Sequence, residues 1–251
     1  MLRIAKFEHR LAPDGPRAWA PEMTIWFGGC CLSCHNCTRP ELQVAEGPLM
    51  NVPTILSRLD QFRGLFRCVR LSGGEPLLQP WQDLTLLIES VVGVPGYCDM
   101  LIVETSGSID IERLNSFRTV CASRKDIPKT RCCLSMSHKL PSSGMSARMV
   151  RGNDTRLYES DMVRLRIQTE EDLDAAIAYL YILNNNVKPP SVLFRSDKLN
   201  LWHAIERRLL SPDNTLDRLD LRLLPFTALG KGRNANVLSS SDNIKGGIGI
   251  G

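Results

Sequence analysis

A chain of 251 residues is long enough for one sizeable domain, and its 43% hydrophobic and 23% charged residues are the ordinary mix of a soluble globular protein. Its formal net charge of +4 rests on scattered positions such as Arg113, Arg118, Arg124, Lys125, Lys129 and Arg131, too few and too dispersed for a nucleic-acid footprint. The opening residues, Met1 to Glu8, lack the apolar core of a signal peptide and no stretch is long enough to span a bilayer. A cytoplasmic protein with no nucleic-acid or membrane partner is expected.

The predicted elements alternate between strand and helix. A short apolar strand over Leu2–Phe7 leads into the turn-rich Leu11-Ala12-Pro13-Asp14-Gly15-Pro16, and Met23–Phe27 reads as a buried strand. Asn51 is placed to cap a helix with Pro53 in its first turn, running to about Phe62. Cys68–Leu71 is the next strand. Pro80 then opens a helix whose stripe of Leu84, Leu87, Ile88 and Val91 has the spacing of one buried face. A strand over Met100–Val103 precedes a helix from about Asp110 to Ala122, and Cys132–Met136 forms another strand. Val163–Ile167 is followed by a helix with a capping start at Thr169-Glu170-Glu171-Asp172. Val192–Phe194, a helix over Leu199–Leu210 and the strand Leu221–Leu224 close the series.

Strands alternating with helices imply a parallel sheet. No GxGxxG follows the first strand, which argues against a dinucleotide-binding domain. Six to seven such units are too few for a closed eight-stranded barrel, so the expected fold is α/β, a partial (β/α) TIM-type barrel over residues 1–229. Residues 230–251 are rich in Gly, Ser and Asn and are expected to form a disordered tail. In such barrels the chemistry sits at the C-terminal strand ends. The polar segments all fall just after predicted strands: the loop 28–37, Ser72–Pro76, Glu104–Gly107 and Ser137–Lys139.

Cys30, Cys34 and Cys37 are spaced C-x3-C-x2-C in one short loop. A structural zinc site or an ordinary ferredoxin cluster uses four protein ligands. Three thiolates without a fourth leave one iron of a [4Fe-4S] cluster open to a small molecule. The bland alternative is zinc completed by His35 or a distant cysteine, but His35 lies between two ligands in a very short loop. The cysteine count is odd, nine in all. With no export signal, Cys31, Cys68, Cys98, Cys121, Cys132 and Cys133 read as small buried hydrophobes in a reducing compartment.

This spacing, followed thirty-five residues after Cys37 by Ser72-Gly73-Gly74-Glu75-Pro76, resembles the radical S-adenosylmethionine superfamily. The resemblance implies that S-adenosylmethionine chelates the open iron and that backbone around Gly73-Gly74-Glu75 binds its amino group. Within the superfamily, Leu71–Gln79, Val103-Glu104-Thr105-Ser106-Gly107 and Ser137-His138-Lys139-Leu140-Pro141-Ser142-Ser143-Gly144 are similar to segments of 7-carboxy-7-deazaguanine synthases. Those enzymes contract 6-carboxytetrahydropterin on the route to queuosine-type bases. What this implies for the cofactor is a set of contacts from Asn36, Thr38, Gly73, Gly74, Glu75, Glu104, Ser106, Ser137, His138 and Lys139. For the substrate it implies Leu11, Gly15, Trp26 and Ser72. It also implies an external electron donor of flavodoxin or ferredoxin type, and a homodimer is the default assembly.

The chain departs from that family in places. Thr38-Arg39 follows the last cysteine, where the family has Asp-Thr and a magnesium ion, so a fixed cation stands where a metal is held. Trp26 stands where the family has an arginine for the substrate carboxylate, and Ala12-Pro13 replaces its Gln-Gly turn. Cys37-Thr38-Arg39-Pro40-Glu41-Leu42 and Leu223–Gly230 instead resemble glycyl-radical activating enzymes, which take hydrogen from a glycine of a partner protein. An iron-sulfur or zinc protein without catalytic activity is the third reading.

Overall fold

The structure, a computed structural model, describes residues 1–12, 20–94, 97–123, 131–209, 216, 218–224 and 238–239. Strand β1 (Leu2–Ala12) and β2 (Ala20–Phe27) form an antiparallel arm, with Phe7 opposite Ile25 and Leu11 opposite Pro21. The two-residue β3 (Leu49–Met50) pairs with the start of β1, and α1 (Val52–Asp60) follows. Asn51 caps α1 through its side chain, which accepts from Thr54 N at 2.9 Å.

The rest is the expected alternation. It runs β4 (Cys68–Gly73), α2 (Trp81–Val92), β5 (Met100–Thr105), α3 (Glu112–Ser123) and β6 (Arg131–Ser137). Then come β7 (Met162–Arg166), α4 (Glu170–Asn184), β8 (Ser191–Arg195), α5 (Leu199–Leu209) and β9 (Leu221–Leu223). Three short 3-10 turns, not an α-helix, carry the chain from β6 to β7. Strand β10 (Leu238–Ser239) pairs with β9, so two residues of the expected tail lie in the sheet; its remaining residues fall outside the described ones.

The sheet order is β10-β9-β8-β7-β6-β5-β4-β2-β1-β3, with β2 and β4 to β9 parallel throughout. It ends on β3 and β10 and does not close on itself. The partial barrel expected from the sequence is therefore present.

Side chains alternate along each strand. Ile25, Phe27, Val69, Leu71, Leu101, Val103, Val163, Leu165, Val192 and Phe194 belong to the main core, with Ile55, Leu59, Leu84, Leu87, Leu173 and Leu180 of the helices. The alternate positions face the inside of the curve. At its N-terminal end Cys68, Met100, Ile102 and Cys133 make a small separate apolar cluster. Further along these strands, and on the neighbouring β7, that face becomes polar with Arg70, Ser72, Glu104, Ser135 and Arg164. The plug closes the bottom and leaves the top for chemistry.

Candidate active site

The cysteine loop leaves the C-terminal end of β2 and is tied down by backbone before the first ligand. Gly28 N donates to Arg3 O, Gly29 N to Leu42 O and Cys30 N to Gln43 O. The adjacent loop after β4 interlocks with it, Gly74 N donating to Phe27 O at 2.9 Å and Glu75 N to Gly29 O at 2.8 Å. This contact needs glycine. Gly73 has φ +121°, and a Cβ on Gly74 would lie 2.0 Å from Gly29 O.

The opposite wall is the segment after β6. His35 N donates to Ser143 O at 3.1 Å, Asn36 Nδ2 to Ser142 Oγ at 3.1 Å, and Arg166 Nη1 to Asn36 O at 2.9 Å. The His35 ring lies against Gly144, whose φ is +70° and whose added Cβ would fall 2.7 Å from that ring. Lys139 Nζ donates to Ser137 Oγ at 3.2 Å. The His138 ring stacks on Tyr179 of α4 with centroids 3.9 Å apart. Burial pushes His138 down to about 4, so its imidazole is neutral at physiological pH.

Glu75 serves as a brace. Its carboxylate, fully buried, accepts from Leu77 N, Thr105 Oγ1, Ser106 N and Ser106 Oγ at 2.6–3.1 Å, fixing the loop after β4 to the loop after β5. Ser106 Oγ lies 2.7 Å from Ser108 Oγ, which reaches Cys31 Sγ at 3.0 Å.

Below the loops runs a row of alternating charges. Glu22 Oε1 accepts from Arg10 Nε and Nη2, from Thr24 Oγ1 and from Arg70 Nε. Arg70 Nη1 donates to Glu104 Oε1 at 2.6 Å, Arg164 Nη1 donates to the same oxygen at 2.6 Å, and Ser72 Oγ donates to Oε2. The two guanidiniums outweigh burial and hold the Glu104 carboxyl well below the usual carboxylate range. With three of about four acceptor sites used, one lone pair on Oε2 is left for a ligand.

These walls enclose a cavity of about 460 Å³. Cys30, Cys34, Cys37, Asn36 and Thr38 line it from the cysteine loop. Ser72, Gly73, Gly74, Glu104, Ser106, Ser137, His138 and Lys139 line it from the strand ends, and Trp26 from β2. Trp26 Nε1 donates to Glu8 Oε2 at 3.0 Å. Among the residues named from sequence, Leu11 stands apart, exposed on the β1–β2 arm, because its inward neighbour is Arg10. Glu75 lies behind the wall, since its carboxylate is spent on loop donors, and Gly15 falls outside the described residues. Arg10, Arg39, Arg164, Arg166 and Arg195 also line the cavity without having been singled out as site residues. Of these, only Arg39, directly after Thr38, carried a local signal.

All three loop thiols open on the cavity, and burial pushes Cys30 up to about 11 and raises Cys34 as well, although the Lys139 ammonium pulls Cys34 down. Among the described residues no group of three His, Cys, Asp or Glu is gathered tightly enough for one metal ion. Three thiols around one cavity are soft ligands of the kind a [4Fe-4S] group with an open iron takes, one to each of three irons. Among the other six cysteines, burial raises Cys98 and Cys132 to about 12 and Cys133 to about 11, the state of inert buried thiols.

An open, largely parallel α/β sheet with a three-cysteine cavity at its C-terminal strand ends is the arrangement expected of the radical S-adenosylmethionine class. Comparison with known proteins narrows the class. The chain is 28% identical over 209 residues to 7-carboxy-7-deazaguanine synthase of Clostridium acetobutylicum, covering 81% of each. It is 24% identical over 227 residues to that of Chlorobaculum tepidum, covering 88% of this chain and 90% of the other. Over a shorter stretch of 99 residues, 39% of the relative's length, it is 33% identical to the Methanopyrus kandleri synthase. The solved structure of QueE from Escherichia coli matches with a TM-score of 0.60 at 16% identity, covering 88% of this chain and 93% of that one. No family model matches the chain. The chain is thus similar in sequence to 7-carboxy-7-deazaguanine synthases and in fold to QueE. No described helix is long and apolar enough to cross a membrane.

Proposed function

We propose that this chain is a 7-carboxy-7-deazaguanine synthase-like enzyme acting on a reduced pterin acid. The observation that carries this reading is the convergence of the cysteine loop, the Gly73-Gly74 loop and Ser137–Lys139 on one cavity. Cys30, Cys34 and Cys37 hold the cluster, and Gly73 and Gly74 bring backbone close enough to receive an amino group. Ser106, Ser137 and Lys139 hold the polar groups of the nucleoside, and Glu104 keeps an ionised acceptor for a hydroxyl. When bound, the cluster and S-adenosylmethionine supply a 5′-deoxyadenosyl radical after one-electron reduction by a flavodoxin- or ferredoxin-type donor. The protein's part is to orient the pterin against that radical and to exclude water. Trp26 and Leu140 form apolar wall.

Anaerobic incubation with dithionite, S-adenosylmethionine and 6-carboxytetrahydropterin tests the reading. Loss of ammonia from the pterin acid is redox-neutral, so 7-carboxy-7-deazaguanine is expected to form in excess over 5′-deoxyadenosine. Deoxyadenosine without the deazaguanine refutes the substrate, and neither product refutes the enzyme. Replacement of any one of Cys30, Cys34 or Cys37 by Ala removes the cluster's visible absorbance; a variant that keeps full iron and turnover contradicts the ligand assignment.

A further inference from the structure

The cavity is strongly cationic: among the described residues Arg10, Arg39, Lys139, Arg164, Arg166 and Arg195 line it, against the single acid Glu104. Most of this charge is answered within the protein. Arg10 pairs with Glu22, Arg164 with Glu104, and Arg166 and Arg195 with Asp197. Lys139 belongs to the thiol side, where it acts on Cys34.

Arg39 is different. Its guanidinium carbon lies 4.8 Å from the centroid of the Trp26 ring, and its ion pair, with Glu41, spans 3.7 Å between exposed side chains. A surface pair of that kind contributes little in water, whereas a guanidinium over an indole is steadied without losing its charge or its hydrogen-bond donors. The charge is therefore offered to the cavity beside Trp26, with Arg10 on the same ring at 5.9 Å.

The same spot is where the resemblance puts a magnesium ion, and the residues do not fit one. Magnesium takes hard oxygen ligands, usually including a carboxylate. The one carboxylate in the lining is already shared by two guanidiniums and Ser72. What remains is neutral hydroxyl and amide oxygen, and Thr38 stands next to a fixed cation that repels a dication.

We propose that Arg39, steadied on Trp26, binds the substrate carboxylate directly and that turnover requires no divalent metal ion. This rests on the reading of the substrate given above. The test is anaerobic equilibrium dialysis of the cluster-loaded protein with S-adenosylmethionine present, using 6-carboxytetrahydropterin and tetrahydropterin lacking the carboxylate. Arg39→Ala is expected to weaken the carboxylated ligand roughly 10- to 100-fold, the range of a charge-assisted hydrogen bond, and the other ligand by less than about twofold. Arg39→Lys recovers part of the loss. The unsubstituted protein binds and turns over the acid equally with EDTA or with added magnesium.

An equal loss for both ligands, or none for either, overturns Arg39 as the anchor. A severalfold gain in binding or turnover from magnesium overturns the metal-free reaction. An unsubstituted protein that binds neither pterin overturns the parent reading, and this inference with it; binding of the acid together with either failure above overturns this inference alone.

Discussion

The Glu75 carboxylate gathers four donors from two loops while shielded from solvent. Truncation leaves several of those donors buried without partners, so Glu75→Ala is expected to lower stability by about 3 kcal/mol or more in urea unfolding, and to loosen both loops. His138 makes a pH-dependent contribution. Its folded value of about 4 lies below the ordinary value of 6.5, so the unfolded chain binds the extra proton first. This contribution is complete above about pH 6.5 and is lost as pH falls toward 4. His138→Asn should flatten the fall in Tm between pH 7 and pH 4.5 relative to the parent, and an unchanged slope would contradict the burial assigned here. At this scale the sequence was legible where partners are local. The thiols and glycines announced themselves by spacing, but Glu104's position at a strand end said nothing of Arg70 and Arg164, which reach it from two other strands. Nor did Glu75 reveal that its side chain turns away from the cavity while its neighbours face it.

Elements were read well wherever caps and apolar stripes coincide. Asn51 opens α1, and Thr169 with Asp172 forms the reciprocal capping box of α4. Strand β1 was read too short, ending at Phe7 rather than Ala12, because Glu8 and Arg10 point inward to the charged floor and break the apolar pattern that marks a strand. No helix is expected from the sequence between β6 and β7, and that stretch holds only short 3-10 turns that let it reach the cysteine loop. Contact between the two glycine loops yields a sharp expectation. Gly74→Ala drives a methyl into Gly29 O, so the cysteine loop must move, and iron content per chain should fall severalfold while far-UV circular dichroism stays near that of the parent.

On the scale of the molecule, the alternation of strands and helices was enough to foresee a parallel, unclosed sheet. What it did not foresee is how the inner face is stitched together. Arg70, fully buried, joins Glu22 of β2 to Glu104 of β5, and through these it couples Arg10 of β1 and Arg164 of β7. Such a row is invisible to hydrophobic patterning, since each member reads as a surface charge until the sheet curls. Arg70→Ala takes the shared guanidinium from two carboxylates, leaving Glu22 to Arg10 and Glu104 to Arg164, and is expected to cost about 3 kcal/mol in denaturant unfolding, whereas removal of an exposed pair such as Arg63–Asp60 should cost under about 1 kcal/mol.

The grip of Ser142, Ser143 and Arg166 on the cysteine loop spans 106 and 130 residues of chain in its longest bonds. A ribosome must therefore deliver well over half of the polypeptide before the three thiols acquire their final spacing. Iron delivery in the cell is then a late event in the life of each copy, one that awaits synthesis of the chain through Arg166.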